Sequence, residues 1–511
     1  MADILRIQDR FNITGRGLVY TVKYNKDAVI RIGNLFYDLR GYRFKVKAIE
    51  MFHGRIADVP FDELPIGIMF ELLDGVEVTG NILVSELSDI NFLFCNHPLY
   101  AKRVDMDYET EYQEAGLNHS CGLFSYEDLE NGKLSLYGEE ITGLTIYRGW
   151  MMNPEMYETF FKLLEEKGIF LINSPEEYKR YHTLPGWYNE FSAQTVESIW
   201  EEEGNVNDIL EKSTSLEGSY IVKDFVKSRK HEWYDACYIP NIADKLNASK
   251  VITTFAERQG QSLVGGIVLR KFVKLKQIGF HEKSGMPISE EYRVFVYAGK
   301  VHIMDNYWND DSKVEFSEEE LVWINEIAAK VRSNFVTVDL ARKEDGTLII
   351  MELGDGQVSG LQEIDEKAFY DAFAKEQNAL KDEKVVDDVR VLISEPMPDI
   401  TIDEMRAIIT KISSVQELVD AYVNVHNKFW YIEDDLYDYE EGTLEYNEIC
   451  SKVASWRQLM NSLDDQILRK ASEEGLLMER KEGTGTVAQL TKFMDKYGYK
   501  NGSGWWIKNE N

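Results

Sequence analysis

The spacing of apolar positions divides the chain into four stretches. From residue 1 to about 88, short runs alternate apolar and polar positions between Gly33, Gly41, Gly54 and Gly75: LVYTVKY, AVIRIG, FYDLR, FKVKAIEMF, GIMFELL and NILVSEL. A two-residue period interrupted this often predicts a small closed β-barrel. From 89 to 185 the pattern alternates strands with helices: INFLFCNHP, TGLTIYRGWM and IFLINSP read as strands, MDYETEYQEAGL as a helix, and NPEMYETFFKLLEEKG as an amphipathic helix capped by Asn153 with Pro154 at its first position. That order predicts a doubly wound α/β unit. Its ligand groups belong at the strand ends, where Asn96, His97, Arg148 and Asn173 stand.

Residues 186 to 385 read as an antiparallel α+β domain. GSYIVKDFVKS and SLVGGIVLRKFVKL are strands, DKLNASKVITTFAERQG is a helix, and EYRVFVYAGKVHIMDNYW is a hairpin turning near Gly299. FSEEELVWINEIAAKVRSN is a helix opened by a Ser317/Glu320 capping box. Residues 386 to 511 are mostly helical, with an acidic run, EDDLYDYEEG, that reads as a solvated face, and a tail carrying Trp505 and Trp506. The predicted fold class is therefore multidomain α+β: an N-terminal β-barrel, an α/β unit, an antiparallel α+β domain and a helical C-terminal region.

The hairpin VTVDLARKEDGTLIIMELGDGQVSG carries the chemistry. Asp345-Gly346 suits a two-residue turn, which pairs Glu344 with Thr347 and so sets Asp339 opposite Glu352. The two carboxylates then share one face, roughly 5 Å apart at Cβ, while Val338, Leu340, Met351 and Leu353 take the other. Like charges opposite one another destabilise a sheet unless a cation lies between them, and Mg²⁺ is typically held by one or two carboxylates plus substrate phosphates. Two acids simply facing water at a sheet edge are the alternative. Four cations stand on strands of the same stretch, Lys223, Arg270, Lys271 and Arg293, where a phosphoryl group would need them.

Composition narrows the partners. With 57 basic and 89 acidic residues the net charge is −32, which disfavours nonspecific binding to nucleic acid or an anionic membrane. The start, MADILRIQDRF, has charges where a signal peptide is apolar, and no window approaches a membrane span, so a cytoplasmic protein is expected. Cys95, Cys121, Cys237 and Cys450 lie far apart and suggest neither a disulfide framework nor a zinc site; His119 with Cys121 reads as incidental.

Two resemblances add to this. FNITGRGLVYTVKY, IRIGNLFYDL, KAIEMFHGRIADV and IGIMFELLDGVEVTGNILV are similar, in order, to the second-domain β-barrel of translation elongation factors. This implies a barrel fold over residues 1 to 88 and docking to RNA or protein, with Arg16 as the contact to test. It does not imply GTP hydrolysis. The order of a strand lysine, a second basic strand, an arginine hairpin and an acid hairpin resembles the ATP-grasp superfamily. Within it, INFLFCNHPLYAKRVDMDYETEY, TIYRGWMMNPEMY, LINSPEEYKRYHTLPGWY, IVKDFVKSRKHEWYDACYIP, LVGGIVLRKFVKL, SGMPISEEYRVFV and VTVDLA…MELGDGQVSGL look like the phage-associated clade named for its arginines and lysine, from 90 to 370.

The ATP-grasp resemblance implies that Lys223 contacts ATP phosphates and that Val268, Leu269, Phe272 and Val273 hold the adenine. Arg293 steadies the transferring phosphate, and Arg270 and Lys271 stand with it as catalytic cations. Asp339 and Glu352 bind Mg²⁺. Many members place asparagine where this chain has Gly354, so Asp355 or Gln357 is expected to complete the metal site. KSRKHEW, with Lys227, Arg229, Lys230 and His231, is expected to form a mobile loop that closes over the phosphates or meets an acidic substrate. In this register the glycines 354, 356 and 360 let the backbone crowd a metal-phosphate site, and residues 89 to 185 become a pre-ATP-grasp unit. The implied activity is carboxylate–amine ligation through an acyl phosphate, ATP going to ADP, on a protein or peptide substrate in a phage or anti-phage setting. A nucleotide-gated RNA- or protein-binding module and kinase-like phosphoryl transfer are the other readings.

Overall fold

The computed structural model describes residues 3–14, 17–24, 30–51, 54–56, 58–59, 66–78, 80–87, 89–280, 287–308, 315–378, 402–410, 412, 414–434, 443–473, 499–502 and 505–508. The chain forms two compact units, Met1–Gln377 and Asn378–Asn511. In the first, six strands are hydrogen-bonded in the order Leu35–Asp38, Ile82–Val84, Ile4–Ile13, Gly17–Tyr24, Ile66–Leu72, Arg43–Met51, and the last pairs back to the first. This is a closed barrel. Leu5, Tyr20, Val22, Phe36, Phe44, Val46 and Ile68 fill it, as the alternation predicts. Arg16 lies outside the described residues.

The barrel is held by polar contacts to the rest of its unit. Arg6 Nη2 donates to the Leu171 carbonyl at 2.6 Å, and Asn81 Nδ2 donates to Glu177 Oε1 at 3.0 Å and to the Arg332 carbonyl at 2.8 Å. Arg40 Nε donates to the carbonyl of Ala298. Barrel residues Ile4, Tyr37 and Ile82 share one apolar cluster with Phe92, Phe295, Phe335 and Phe369. The three predicted domains before residue 377 are thus packed as one body.

In the α/β unit, Cys121–Phe124, Asn91–His97, Gly143–Arg148 and Ile169–Leu171 run parallel in that order, with Leu136–Gly138 antiparallel at one edge. Asn153 caps helix Pro154–Glu165 through the Met156 N–H, and the helix lays Tyr157, Phe160, Phe161 and Leu164 on the sheet. The stretch MDYETEYQEAGL is helical only over a 3-10 turn, Met106–Tyr108, and the short helix Glu109–Ala115.

The α+β part contains two antiparallel sheets. One orders Ser198–Trp200, Val268–Lys271, Tyr220–Lys223 and Tyr238–Ile239. Its strands are shorter than their apolar runs: Asp224 ends the first by accepting from the Val226 and Lys227 amides, and the second begins only after Gly266, whose hydrogen faces the Glu201 carbonyl so closely that a Cβ would collide. The other sheet orders Lys300–Asn306, Glu291–Tyr297, Phe335–Arg342 and Leu348–Asp355. Helix Glu318–Lys330, with the predicted reciprocal Ser317/Glu320 box, covers it through Ile324, Ile327 and Ala328.

The second unit has helices Ile402–Ile409, Val415–Asp434 and Leu444–Glu473 around Val419, Trp456, Leu463 and Ile467. Its tail departs from the helical expectation: Tyr499–Gly502 pairs antiparallel with Trp505–Lys508, a strand that β-favouring tryptophans suit. Most of the acidic run, residues 435–442, lies outside the described residues. No described helix is long and apolar enough to cross a membrane.

The strand ends of the α/β unit do not wait for a ligand in the way the topology suggested. Arg148, fully buried, donates to the Gly356 carbonyl at 2.6 Å and the Ser359 carbonyl at 2.8 Å, and forks onto Glu111 at 2.9 and 3.1 Å. Tyr370 Oη also donates to Glu111. Asn173 donates to Asp355 Oδ2 at 2.6 Å and to the Phe335 carbonyl at 2.7 Å. Asn96 and His97 close a hairpin with Tyr100–Val104. Arg148→Met strands the Glu111 carboxylate and two carbonyls in a dry interior, so a loss of about 3–5 kcal/mol in urea-unfolding stability is expected, with Glu111→Gln in the same chain restoring part of it.

Candidate active site

The acid hairpin reaches its predicted pairing by a different route. Lys343 N donates to Thr347 O and Gly346 has φ 89°, so the turn has three residues, Glu344 to Gly346, not two. Near the turn Leu340 therefore faces Ile350, and a bulge at Met351 absorbs the extra residue before Asp339 meets Glu352. Consequently Ile350, not Met351, joins Val338, Leu340 and Leu353 in the core.

Each acid of the pair is capped by a cation from another strand. Arg293, opposite Asp339 on the neighbouring strand, grips its carboxylate with Nε at 2.9 Å and Nη2 at 2.7 Å, and donates Nη1 to the Gly360 carbonyl at 2.7 Å. Lys223 Nζ reaches across from the other sheet to Glu352 Oε1 at 2.9 Å. Burial alone would raise the Glu352 carboxyl, but Lys223, Lys230 and Arg270 outweigh it and hold it below the ordinary range. Lys230 answers in kind: burial would lower it, yet Glu291, Glu352 and Tyr307 keep it high.

The other predicted residues divide. Arg270 is buried and acts on the backbone, donating Nη2 to the Met351 carbonyl at 2.7 Å, the Ile350 carbonyl at 3.2 Å and Thr195 Oγ1 at 2.9 Å. Burial pushes its guanidinium down to about 10, with Glu352 opposing. Lys271 points outward to Glu197 at 3.3 Å, because adjacent strand residues face opposite sides. Arg229 is drawn to Glu232 and Gln259, away from the acid pair, while the Lys227 charge is felt at His182. Val268 and Leu269 give their side chains to two separate cores. Phe272 instead meets Trp233 and Tyr238 edge-on at 6.0 and 5.1 Å, those two stacked on each other at 5.1 Å, and Val273 beside it is half-buried.

Asp355 does not join the acid pair. It lies three residues beyond Glu352 and turns inward, accepting from Asn173, from the Gln357 amide at 3.0 Å and from Gln357 Nε2 at 3.1 Å. Gln357 is likewise inside, donating to Tyr157 Oη. The glycines serve packing: a Cβ on Gly354 would sit 2.9 Å from Ser359 Oγ and from Thr337 Oγ1, and one on Gly356 would sit 2.6 Å from the Phe335 ring. An asparagine at 354 has no room. Gly360 contributes its carbonyl to Arg293.

Three neighbours escape sequence reasoning. His182, at the end of helix Pro175–His182, stacks on Tyr178 at 4.9 Å; burial brings its ring down to about 4, Glu352 opposing and Lys227 and Lys223 adding to the fall. Tyr307 lies under the Arg293 guanidinium at 4.8 Å. Glu291 stands two residues before Arg293 on one face of the strand. No spacing rule links these positions to the acid hairpin; only the fold does.

For Mg²⁺ the fit is partial by design of the chain. Among the described residues no three His, Cys, Asp or Glu side chains converge as a metal cage. Two hard carboxylates within one cross-strand pair suit an ion that takes its remaining oxygens from phosphates and water.

Residues 211–373 match the family model of an ATP-grasp domain, family 3 of the clade named for its arginines and lysine. No curated protein matches. Among solved structures, the chain is similar to the ATP-grasp ligase PsnB complexed with minimal precursor, Mg and ADP (13% identity, TM-score 0.37, 56% of this chain and 98% of that one). Others are the D-cycloserine synthetase DcsG (14%, 0.37, 56% and 99%) and D-alanyl-alanine synthetase A from Vibrio cholerae O1 biovar eltor (12%, 0.37, 58% and 100%). The stretch that holds Lys223, Arg293, Asp339 and Glu352 is thus similar to ATP-grasp domains.

Burial raises the Asp355 carboxyl to about 6, against the hydrogen bonds of Asn173 and Gln357. A folded-state pKa above the unfolded one contributes stability that is complete below about 4 and is lost as pH rises through about 6. Asp355→Asn has no such ionisation. Its unfolding free energy relative to the parent should therefore rise by roughly 2 kcal/mol between pH 4 and pH 8, whatever its constant offset, in urea titrations at both ends.

Proposed function

We propose that the protein is an ATP- and Mg²⁺-dependent carboxylate–amine ligase working through an acyl phosphate. The observation that carries this is the pair Asp339/Glu352, held on one face with a guanidinium on one acid and a lysine from a second sheet on the other. A triphosphate with its metal satisfies both signs at once: the metal takes the carboxylates, and Lys223, Lys230 and Arg293 take the phosphate oxygens. The half-buried Phe272, Trp233 and Tyr238 group, on the same sheet as the strand lysine, offers the nucleobase an aromatic surface.

Mg²⁺, when bound, supplies Lewis-acid polarisation of the transferring phosphate. Arg293 turns its Nε/Nη2 fork from Asp339 to the phosphoryl oxygens as that carboxylate goes to the metal, while Nη1 stays on the Gly360 carbonyl. Lys223 exchanges Glu352 for phosphate, and His182, kept neutral, lines the site without adding a second positive charge beside Lys223. The match of residues 211–373 to an ATP-grasp domain supports the reading. The acid substrate is proposed to be a peptide or protein carboxyl; the barrel remains the surface offered to an RNA or protein partner.

Purified protein with ATP and Mg²⁺ should release ADP and phosphate only when a pool of amino acids, peptides or cell extract is present. Glu352→Gln should lower that rate by about a hundredfold or more, and Lys223→Ala comparably, because each removes charge matched to the transition state. Release of AMP and pyrophosphate instead sinks the acyl-phosphate route. Lys271→Ala, whose ammonium pairs with Glu197 at the sheet surface, should stay within about twofold of the parent.

A further inference from the structure

The site contains a third carboxylate that the ligase reading leaves without a task. Glu291 shares the strand face of Arg293 and lies beside Asp339 and Glu352, which both act on it electrostatically. Those two have direct cationic caps. Glu291 has none among the described residues: Lys230 faces it as its main opposite charge, and the Trp308 indole lies beside it. Tyr307 donates its amide to the Glu291 carbonyl at 2.9 Å, and the Tyr307 and Trp308 rings stand 5.1 Å apart. The result is a corner with one carboxylate and two aromatic rings.

Charge balance says what such a corner takes. In the loaded site Lys223, Lys230 and Arg293 turn to the triphosphate, and Asp339 and Glu352 turn to the metal. Glu291 is then a half-buried anion next to two others, and it needs a cation from outside the chain. We propose that Glu291, with Tyr307 and Trp308, is the subsite for the attacking nucleophile, a primary amine that enters as its ammonium ion. This rests on the ligase reading above. An alcohol or water brings no charge and leaves Glu291 uncompensated, whereas an ammonium satisfies the carboxylate and the aromatic faces together.

The chemistry closes. The Glu291 carboxylate takes one proton from the ammonium, leaving a neutral amine and a carboxylic acid. The amine lone pair forms the C–N bond to the acyl phosphate carbonyl, the C–O bond to phosphate breaks, and phosphate departs with that electron pair and accepts the second N–H proton. Burial, only partly offset by Lys230, holds the Glu291 carboxyl above the usual range, which favours proton acceptance there.

The test is calorimetric titration of the protein saturated with Mg²⁺ and AMPPNP. The probes are the methylamides of Nα-acetyl-lysine, a primary ammonium, and of Nα-acetyl-norleucine, its neutral counterpart. The expected result is binding of the lysine probe to wild type, binding about tenfold weaker or worse to Glu291→Gln, partial recovery in Glu291→Asp, and no binding of the norleucine probe. AMPPNP should bind wild type and Glu291→Gln within about twofold of each other, which also shows that the variant is folded. Equal affinity of the lysine probe for wild type and Glu291→Gln, or no affinity for wild type, overturns the subsite. So does a variant that loses AMPPNP and keeps the probe, since Glu291 then serves Lys230. Failure of wild type to bind AMPPNP overturns the ligase reading beneath it.

Discussion

Everything in the central site follows from placing Asp339 and Glu352 across from each other on one sheet face. Two carboxylates roughly 5 Å apart repel, and repel more strongly where water is thin. The fold answers with Arg293 from the adjacent strand and Lys223 from a separate sheet. The Lys223 contact ties the two sheets together, so neither could shift without exposing an unpaired charge. The buried Arg293–Asp339 pair adds little to stability over apolar residues of the same size, and the half-exposed Lys223–Glu352 pair is screened by water. In the proposed ligase a metal and a phosphate take the place of these cations.

The second constraint is the segment after the acids. Residues 354 to 360 leave the strand end and are gripped from the α/β unit: Arg148 on the Gly356 and Ser359 carbonyls, Asn173 on Asp355, and the Tyr147 amide on Gln357 Oε1 at 3.2 Å. Gly360, the next carbonyl, receives Arg293. A continuous run of hydrogen bonds thus joins the α/β unit to the guanidinium that holds Asp339. The barrel joins the same run through Asn81, whose amide donates to Asn334 Oδ1 at 3.2 Å while Asn334 donates to the Ile172 carbonyl at 2.9 Å. The orientation of Arg293 is set by parts of the chain hundreds of residues apart, which local patterning cannot encode.

The periodic elements were legible for that reason alone: helix caps at Asn153 and Ser317, the parallel strands from Asn91 onward, and the barrel alternation are local signals. The Asp339/Glu352 pairing was also legible, though the two-residue turn used to reach it is a three-residue turn compensated by the bulge at Met351. A one-residue error in the turn and a one-residue bulge cancel on the site face and show only as the exchange of Ile350 for Met351 in the core. Asp355 and the glycines were misread because a strand end rich in Gly and Asp looks alike whether it crowds a ligand or a neighbouring ring. His182 and Tyr307 carry no local signal, since their proximity to the acids is tertiary, whereas the strand alternation puts Glu291 on the face of Arg293 without showing its nearness to Glu352.

The cations show how geometry separates roles that sequence cannot. Lys223, Arg270, Lys271 and Arg293 all sit on strands near the acid hairpin, and each is one charge. Arg270 spends its donors on the Ile350 and Met351 carbonyls, at the bulge itself, so its charge stabilises the irregular backbone that corrects the register. Lys271, one residue on, faces the opposite side and meets only Glu197. Arg293 and Lys223 present donors to the two carboxylates that the proposed reading gives to a metal, and in that reading they exchange them for phosphate oxygens without leaving an anion bare. Whether a cation can be released is decided by what would compensate the group it leaves behind. In the proposed reading the metal compensates Glu352, whereas the Ile350 carbonyl, shared with Thr195 Oγ1 at 2.8 Å, and the Met351 carbonyl gain no substitute for the guanidinium, so that reading gives Arg270 to the frame and Lys223 to the chemistry.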